Sequence, residues 1–274
     1  MSTLALVLLL AALQGVTEYL PVSSSGHLVL ARSFVPGGEQ LASDAALEVW
    51  LHLGTVLAVC VYYRRELVRL VAGIFGRGEH PGEQRHLAAM LVLASLPAAI
   101  VGIGFQHQIE ALFAGPLPAA SALLLTGLVL AVSPNLGGSE RRLRSVGVQV
   151  ALLVGLVQAL AIMPGISRSG MTIVAGMALG LTAQSSATFS FLLSIPAILG
   201  AALLKVPQIG ASDLDALTLG AGLATSFGVG LASLVFLVHV AKRRRLHWFA
   251  PYCFALGGAG ILAVWLGYGP TPAG

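Results

Sequence analysis

The sequence has very little charge. Only 9% of its 274 residues are Asp, Glu, Lys or Arg, while 57% are hydrophobic and the mean hydropathy is +0.89. Soluble domains carry about 25% charged residues. A chain this poor in charge cannot cover itself with water-compatible surface, so lipid is its solvent. Cysteine is nearly absent. Cys60 and Cys253 lie in apolar stretches and read as small core residues, not as a disulfide or a metal cluster. The first apolar run, 4–13, has no basic segment before it and no small-residue cleavage site ahead of Gln14, which argues against a cleaved signal peptide. Glycine (33) and proline (13) are plentiful, and both are tolerated in membrane helices whose neighbours satisfy the freed backbone groups.

A bilayer core requires roughly 20 apolar residues per helix. Full spans are expected at 46–63, 86–105, 117–134, 185–206, 217–240 and 247–268. Two further apolar regions, 3–33 and 146–181, are interrupted. The first breaks at Pro21-Val-Ser-Ser-Ser-Gly26 and the second at Pro164-Gly-Ile-Ser-Arg-Ser-Gly170. Irregular backbone at membrane depth survives only where protein or a water-filled cavity satisfies it, so both regions read as re-entrant hairpins around a polar site. The fold expected is thus an all-α polytopic membrane protein: one membrane domain, 1–274, of about six full transmembrane helices plus two re-entrant helical hairpins.

Basic residues support this count. Twelve of the fifteen Lys and Arg residues lie in or beside three loops: Arg64, Arg65, Arg69, Arg77 and Arg85; Arg141, Arg142 and Arg144; and Lys242, Arg243, Arg244 and Arg245. All three loops share one side only if both interrupted regions enter and leave by the same face. The positive-inside rule makes that side cytoplasmic and places both termini outside, as for a multi-pass protein of a bacterial plasma (inner) membrane. Lys242–Arg245 is then a topology anchor beside anionic lipid and not a nucleic-acid patch.

A shift of 144 residues aligns Gln14, Ser23, Ser25 and Gly26 with Gln158, Ser167, Ser169 and Gly170. With the orientation above, this reads as an inverted-topology repeat, about 1–134 and about 145–268, whose broken segments meet near the midplane. Similarity between apolar sequences of few residue types is the competing explanation, and the agreement with orientation argues against it. Runs such as Gly220-Ala-Gly-Leu-Ala224 allow close helix packing within or between subunits and leave a homodimer open.

The polar residues inside the hairpins carry the chemistry. Gln14 and Glu18 are four apart and share a helix face. A carboxylate at this depth is a functional candidate by default. Ser23, Ser24, Ser25 and Gly26 follow a helix-ending Pro21 and offer hydroxyls beside the unpaired N–H groups of a new helix, an anion site. His27 stands within a turn of Ser24, an acid/base group near a hydroxyl. In the second loop Arg168 is the only Lys or Arg of the hairpin core. Its guanidinium matches phosphate oxygens, with Ser167, Ser169, Gly170 and Thr172 completing a cradle. A structural Arg168–Glu18 ion pair is the alternative, and it can coexist with anion binding.

The segments Glu18-Tyr-Leu-Pro-Val-Ser-Ser-Ser-Gly-His27 and Pro164-Gly-Ile-Ser-Arg-Ser-Gly170 closely resemble the two signature motifs of the undecaprenyl-diphosphate phosphatase (bacitracin-resistance) family. The resemblance extends through Leu47-Glu48-Val49, Arg64-Arg65 and Phe189-Ser-Phe-Leu-Leu-Ser-Ile-Pro196. It implies hydrolysis of undecaprenyl diphosphate to the monophosphate and phosphate, recycling the lipid carrier of peptidoglycan synthesis, with bacitracin resistance as a consequence. It also implies a divalent cation, Mg2+ or Ca2+, held by Glu18 and the diphosphate. The family's functional positions fall on Gln14, Glu18, Ser24, His27 and Arg168. Its motif allows Gln or Glu at the first of these; Gln14 can orient water or lend one neutral oxygen to a metal, but it cannot act as a base. The family also often has an acidic residue near Thr188, where this chain has none.

The mechanism expected is that the diphosphate enters from the outer side while its prenyl tail stays in lipid. Its terminal phosphoryl passes to Ser24 activated by His27 or Glu18, to His27, or to water, with Ser24 partnered by His27 preferred. The rival reading is a transporter of the polyprenyl phosphate lipid, because inverted repeats with broken midplane segments are also transporter architecture.

Overall fold

The computed structural model describes residues 2–34, 44–105, 108, 111, 115–136, 141–205 and 214–268. Eleven α-helices account for most of them: α1 (Thr3–Tyr19), α2 (Ser24–Phe34), α3 (Ala45–Tyr62), α4 (Arg64–Ile74), α5 (Pro81–Gly104), α6 (Pro116–Val132), α7 (Val148–Leu160), α8 (Arg168–Ala178), α9 (Ala183–Lys205), α10 (Ala216–Lys242) and α11 (Ala250–Trp265). The expected spans correspond to α3, α5, α6, α9, α10 and α11, with residue 206 outside the described residues. Five of these helices are long and apolar enough to cross a membrane; α3 makes a sixth together with α4, from which it is bent by 78°. The protein is therefore a polytopic all-α membrane protein.

One element departs from the expected layout. Residues 64–74, counted above as part of a basic loop, form α4. Its Leu70 is buried, while Val68, Val71 and Ile74 are exposed beside Arg65 and Arg69. This is an amphipathic surface helix, too short and too charged for a span-length criterion to detect.

The two interrupted regions form hairpins that enter from opposite ends. At 17 and 13 residues, α1 and α7 reach only about 25 and 20 Å at 1.5 Å per residue, less than a bilayer core of about 30 Å. Pro21 stops α1, because it has no N–H to continue the ladder and it pushes Leu20 to an extended ψ of 143°. Past the break, α2 packs back on α1. Val7 and Leu10 of α1 pack with Leu47 and Leu219, at the starts of α3 and α10. Leu30 of α2 packs with Ala120 and Leu123, at the start of α6. Both arms thus return to the end of the bundle where these helices begin. The α7–α8 hairpin is closed at the opposite end. Arg141 and Leu181 form an isolated bridge, and Thr182 N donates to Arg141 O at 3.0 Å. The tips meet inside the bundle, where Ser169 Oγ donates to Leu20 O at 3.3 Å.

Packing exchanges between the halves. Helix α1 lies on α10 and α3 on α10; correspondingly α7 lies on α5 and α9 on α5. Close approach relies on glycine, since van der Waals contact between backbones replaces a hydrophobic drive within lipid. Gly222, in the small-residue run of α10, faces Leu51 and Val7. A Cβ on Gly155 of α7 would lie 2.4 Å from Ala94 O of α5. Gly155→Val is predicted to lose about 1–3 kcal/mol by overpacking. Thermal unfolding in detergent should show a lowered midpoint, and an unchanged midpoint would contradict this packing.

Candidate active site

The two loops are built with the same chemistry. Ser23 Oγ accepts from Gly26 N at 3.2 Å and starts α2; Ser167 Oγ accepts from Gly170 N at 3.2 Å and starts α8. Each capping hydroxyl also lies beside a second serine, Ser23 with Ser25 at 3.3 Å and Ser167 with Ser169 at 3.2 Å. Ser23 and Ser167 therefore act first as N-caps. Ser23 holds a left-handed φ of 66°, uncommon for a residue with a side chain. The loops touch through their small residues: a Cβ on Gly26 would lie 2.9 Å from Gly165 Cα, and one on Gly170 would lie 3.1 Å from Pro21 Cβ. Thr126 of α6 fastens the second loop, donating to Gly165 O at 2.9 Å and accepting from Ser167 N at 3.0 Å.

Glu18 is where the hairpins join. At the last turn of α1, with its side chain 6% exposed, one oxygen pairs with Arg168 at 2.5 Å. The other accepts from Gln14 Nε2 at 3.0 Å and Ser24 Oγ at 2.9 Å. His52 Nε2 of α3 stands 3.8 Å away. The structural ion pair allowed for in the sequence is thus present. Arg168 is 16% exposed, and only one of its nitrogens has a protein acceptor among the described residues, so the guanidinium has donors left for an anion.

His27 is arranged differently from expectation. Its Nδ1 lies 2.7 Å from Ser23 O and its Nε2 lies 2.6 Å from Tyr252 OH, with the two rings stacked 7° from parallel. Both nitrogens are taken, and Ser24 turns to Glu18. The hydroxyl partner of Ser24 is therefore the carboxylate, a correction to the Ser24–His27 pairing. The cause is local: one turn into α2, the His27 ring lies back over the Ser23 carbonyl. Thr172 also departs from the expected cradle, since its hydroxyl donates to Arg168 O at 2.7 Å and lies 2.5 Å from Ser190 Oγ of α9, which turns it away from the loop surface.

Three side chains here were not singled out in the sequence. Thr126, His52 and Tyr252 lie on spanning helices whose local sequence is apolar, and they reach the site only through tertiary packing. A weak signal existed for His52, which stands four residues after Glu48 and bonds its carbonyl at 2.8 Å.

Among the described residues no group of three or more His, Cys, Asp and Glu could hold a metal. The oxygens on hand are the Glu18 carboxylate and Gln14 Oε1, which is buried without a partner. One carboxylate and one amide oxygen fit a hard cation that completes its shell with substrate phosphate and water, not one caged by protein.

Two hairpins thus bring an acid, a serine, a histidine and an arginine to one candidate site inside the bundle. Comparison with known proteins gives the family. The family model described as Bacitracin resistance protein BacA matches residues 7–259, and the chain belongs to that family. The undecaprenyl-diphosphatase of Rhodopirellula baltica is 38% identical over 97% of this chain and 99% of its own. Those of Desulfosudis oleivorans and Moorella thermoacetica are 40% and 37% identical, over 94% and 96% of this chain and 96% and 99% of theirs.

The Tyr252 contact is open to test. With Nδ1–H given to Ser23 O, Nε2 accepts from Tyr252. Tyr252→Phe removes one hydrogen bond of about 1 kcal/mol, about fivefold in tautomer population. In histidine-labelled protein the ¹⁵N shifts of His27 are predicted to move toward a tautomer mixture, and unchanged shifts would show that Tyr252 does not hold the ring.

Proposed function

We propose that this protein hydrolyses undecaprenyl diphosphate to undecaprenyl phosphate and inorganic phosphate. The observation that carries this reading is the Ser24–Glu18–Arg168 constellation: a hydroxyl donating to a buried carboxylate, with a guanidinium beside it. The names of the relatives support the substrate. A transporter of the lipid monophosphate needs only the anion cradle and leaves the Ser24–Glu18 pair without a task.

In the reaction, Arg168 exchanges Glu18 for phosphate oxygens of the incoming diphosphate. Glu18, which already accepts from the Ser24 hydroxyl at 2.9 Å, takes its proton. Ser24 Oγ attacks the terminal phosphorus, the bridging P–O bond breaks, and the prenyl monophosphate leaves with the proton that Glu18 took from Ser24, so that Glu18 is again a carboxylate. Water then attacks the seryl phosphate, gives its proton to Glu18, and phosphate departs with Ser24 reprotonated. The free N–H groups at the start of α8 and the Arg168 fork stabilise the charge that spreads over the phosphoryl oxygens. His27 fixes the α2 start by its bond to Ser23. A divalent cation would be held by the Glu18 carboxylate and the Gln14 amide oxygen together with the diphosphate, and would supply charge neutralisation. The positive-inside rule puts the basic loops in the cytoplasm of a plasma membrane. The small outer cavity lined by Gln14, Asp44, Glu48 and His52 is then the route from the outer face, which suits a lipid carrier recycled for cell-wall synthesis.

Glu18→Gln and Arg168→Lys keep size and hydrogen bonding while removing the base and the fork. Each is predicted to lower phosphate release from polyprenyl diphosphate in detergent by about a hundredfold or more. Near-normal release by either variant would overturn the site assignment. Rapid quenching with terminally ³²P-labelled substrate should place label on Ser24. Label on His27, or turnover by Ser24→Ala with no label, would move the nucleophile to the histidine or to water. EDTA is predicted to abolish release and Mg2+ or Ca2+ to restore it; activity unaffected by chelator would remove the cation from the mechanism.

A further inference from the structure

A second cavity lies away from Glu18. A space of about 980 Å³ opens at the end of the bundle where the basic loops gather. Arg69 of α4, Arg142 and Arg144 of the turn before α7, and Lys242 and Arg244 at the end of α10 all line it, and Glu66 is its only carboxylate among the described residues. Orientation in a membrane requires positive residues on this side; it does not require that they face one another. Arg77 and Arg243 meet the same requirement exposed at the same end without lining the cavity. Like charges brought together around a space repel unless something negative occupies it.

The internal neutralisation is slight. Arg69 lies 3.9 Å from Glu66, at the limit of an ion pair, and Arg144 pairs with Glu83 at 2.6 Å. Arg142 and Lys242 have no carboxylate within 4 Å among the described residues. The wall adds neutral donors of matching type. Helix α9 opens on the cavity with Ala183 and Gln184, its first turn capped by Thr182, whose Oγ1 accepts from Ser185 N at 3.1 Å. Thr188 lies one turn further in. Arginines, a lysine, hydroxyls and a helix N-terminus are the donor set for phosphate oxygens.

The surroundings indicate where the phosphate comes from. Helix α4 bends 78° away from α3 and shows Val68, Val71 and Ile74 to the outside, 68%, 55% and 54% exposed, with Phe75 after its end. A short helix with an exposed apolar face and flanking arginines lies in the membrane interface. Its Arg69 reaches into the cavity, which puts the mouth at the level of lipid headgroups.

We propose that this cavity is a second phosphate-binding site, separate from Glu18 and Arg168, that holds the phosphate of an anionic lipid headgroup from the adjoining leaflet. The full-length protein in neutral detergent is titrated with short-chain phosphatidylglycerol, with phosphatidylcholine, and with inorganic phosphate, and binding is read by native mass spectrometry. Two charge-reversal variants carry equal charge changes: Arg142→Glu/Lys242→Glu inside the cavity and Arg77→Glu/Arg243→Glu outside it. Phosphatidylglycerol is expected to bind the parent and the outside variant alike and the cavity variant at least tenfold more weakly, with phosphatidylcholine weak throughout. Phosphate that binds the parent and fails on the cavity variant, without phosphatidylglycerol binding, keeps the site and reassigns its ligand to free phosphate. Equal weakening in both variants, or none in the cavity variant, overturns the proposal, since the basic end would then attract anionic lipid without a site. Thermal unfolding of each variant checks folding, and Arg142→Gln/Lys242→Gln takes the place of a reversal that unfolds.

Discussion

The buried pair between Glu18 and Arg168 sets the terms for everything around it. A charge at the centre of a bilayer costs at least about 2.5–3.5 kcal/mol, and breaking a buried pair by removing one partner costs about 3–5 kcal/mol. These two residues are 150 positions apart, so the chain must bring two distant segments to one depth and keep water available to both. A continuous helix cannot do that with an anion site at its tip, because its N–H groups are spent on its own carbonyls. A helix that stops halfway can. The hairpins follow from this: α1 stops just before Pro21, α7 stops at Leu160 ahead of the Pro164 loop, and a serine caps each second arm.

The same Ser-x-x-Gly cap appears in both loops, yet the loops are not interchangeable. The first carries Glu18, Ser24 and His27; the second carries Arg168. The carboxylate and the guanidinium of the central pair thus come from different loops. Because Gly26 meets Gly165 and Gly170 meets Pro21 at contact distance, neither loop can shift without the other. The glycines are required by closeness here, except at Gly165, where φ is +89° and an added Cβ would also lie 2.1 Å from Ala119 O.

Much of this was legible in the sequence because lipid simplifies the code. Six apolar runs of span length, two interrupted runs and three basic loops admit few arrangements, and Glu18 and Arg168 stand out because charge is scarce. Helix α4 was not legible, since its apolar residues recur at helical spacing among arginines, and a count of consecutive apolar residues discards that pattern. Within the site, what could be read was what lies in the loops. Tyr252 is 225 residues from His27, and no local pattern marks a tyrosine on an apolar helix as a histidine's partner. The Ser24–His27 pairing was inferred from positions three apart on a helix, which can share a face, but Ser23 O and Tyr252 OH take both His27 nitrogens, and Ser24 reaches back across the break to Glu18.

Gln14 shows how the charge balance is kept. Its amide nitrogen donates to Glu18 and its oxygen is buried without a partner among the described residues. A second carboxylate in its place would set two like charges on one helix face against a single arginine, which demands a cation even at rest. With glutamine, Glu18 and Arg168 already balance, and Ser24 and the amide satisfy the second carboxylate oxygen. On the proposed reading, a diphosphate would bring more negative charge than one guanidinium can offset. A divalent cation would then enter with the substrate, and Gln14 Oε1, buried without a partner among the described residues, would be an oxygen on hand for it.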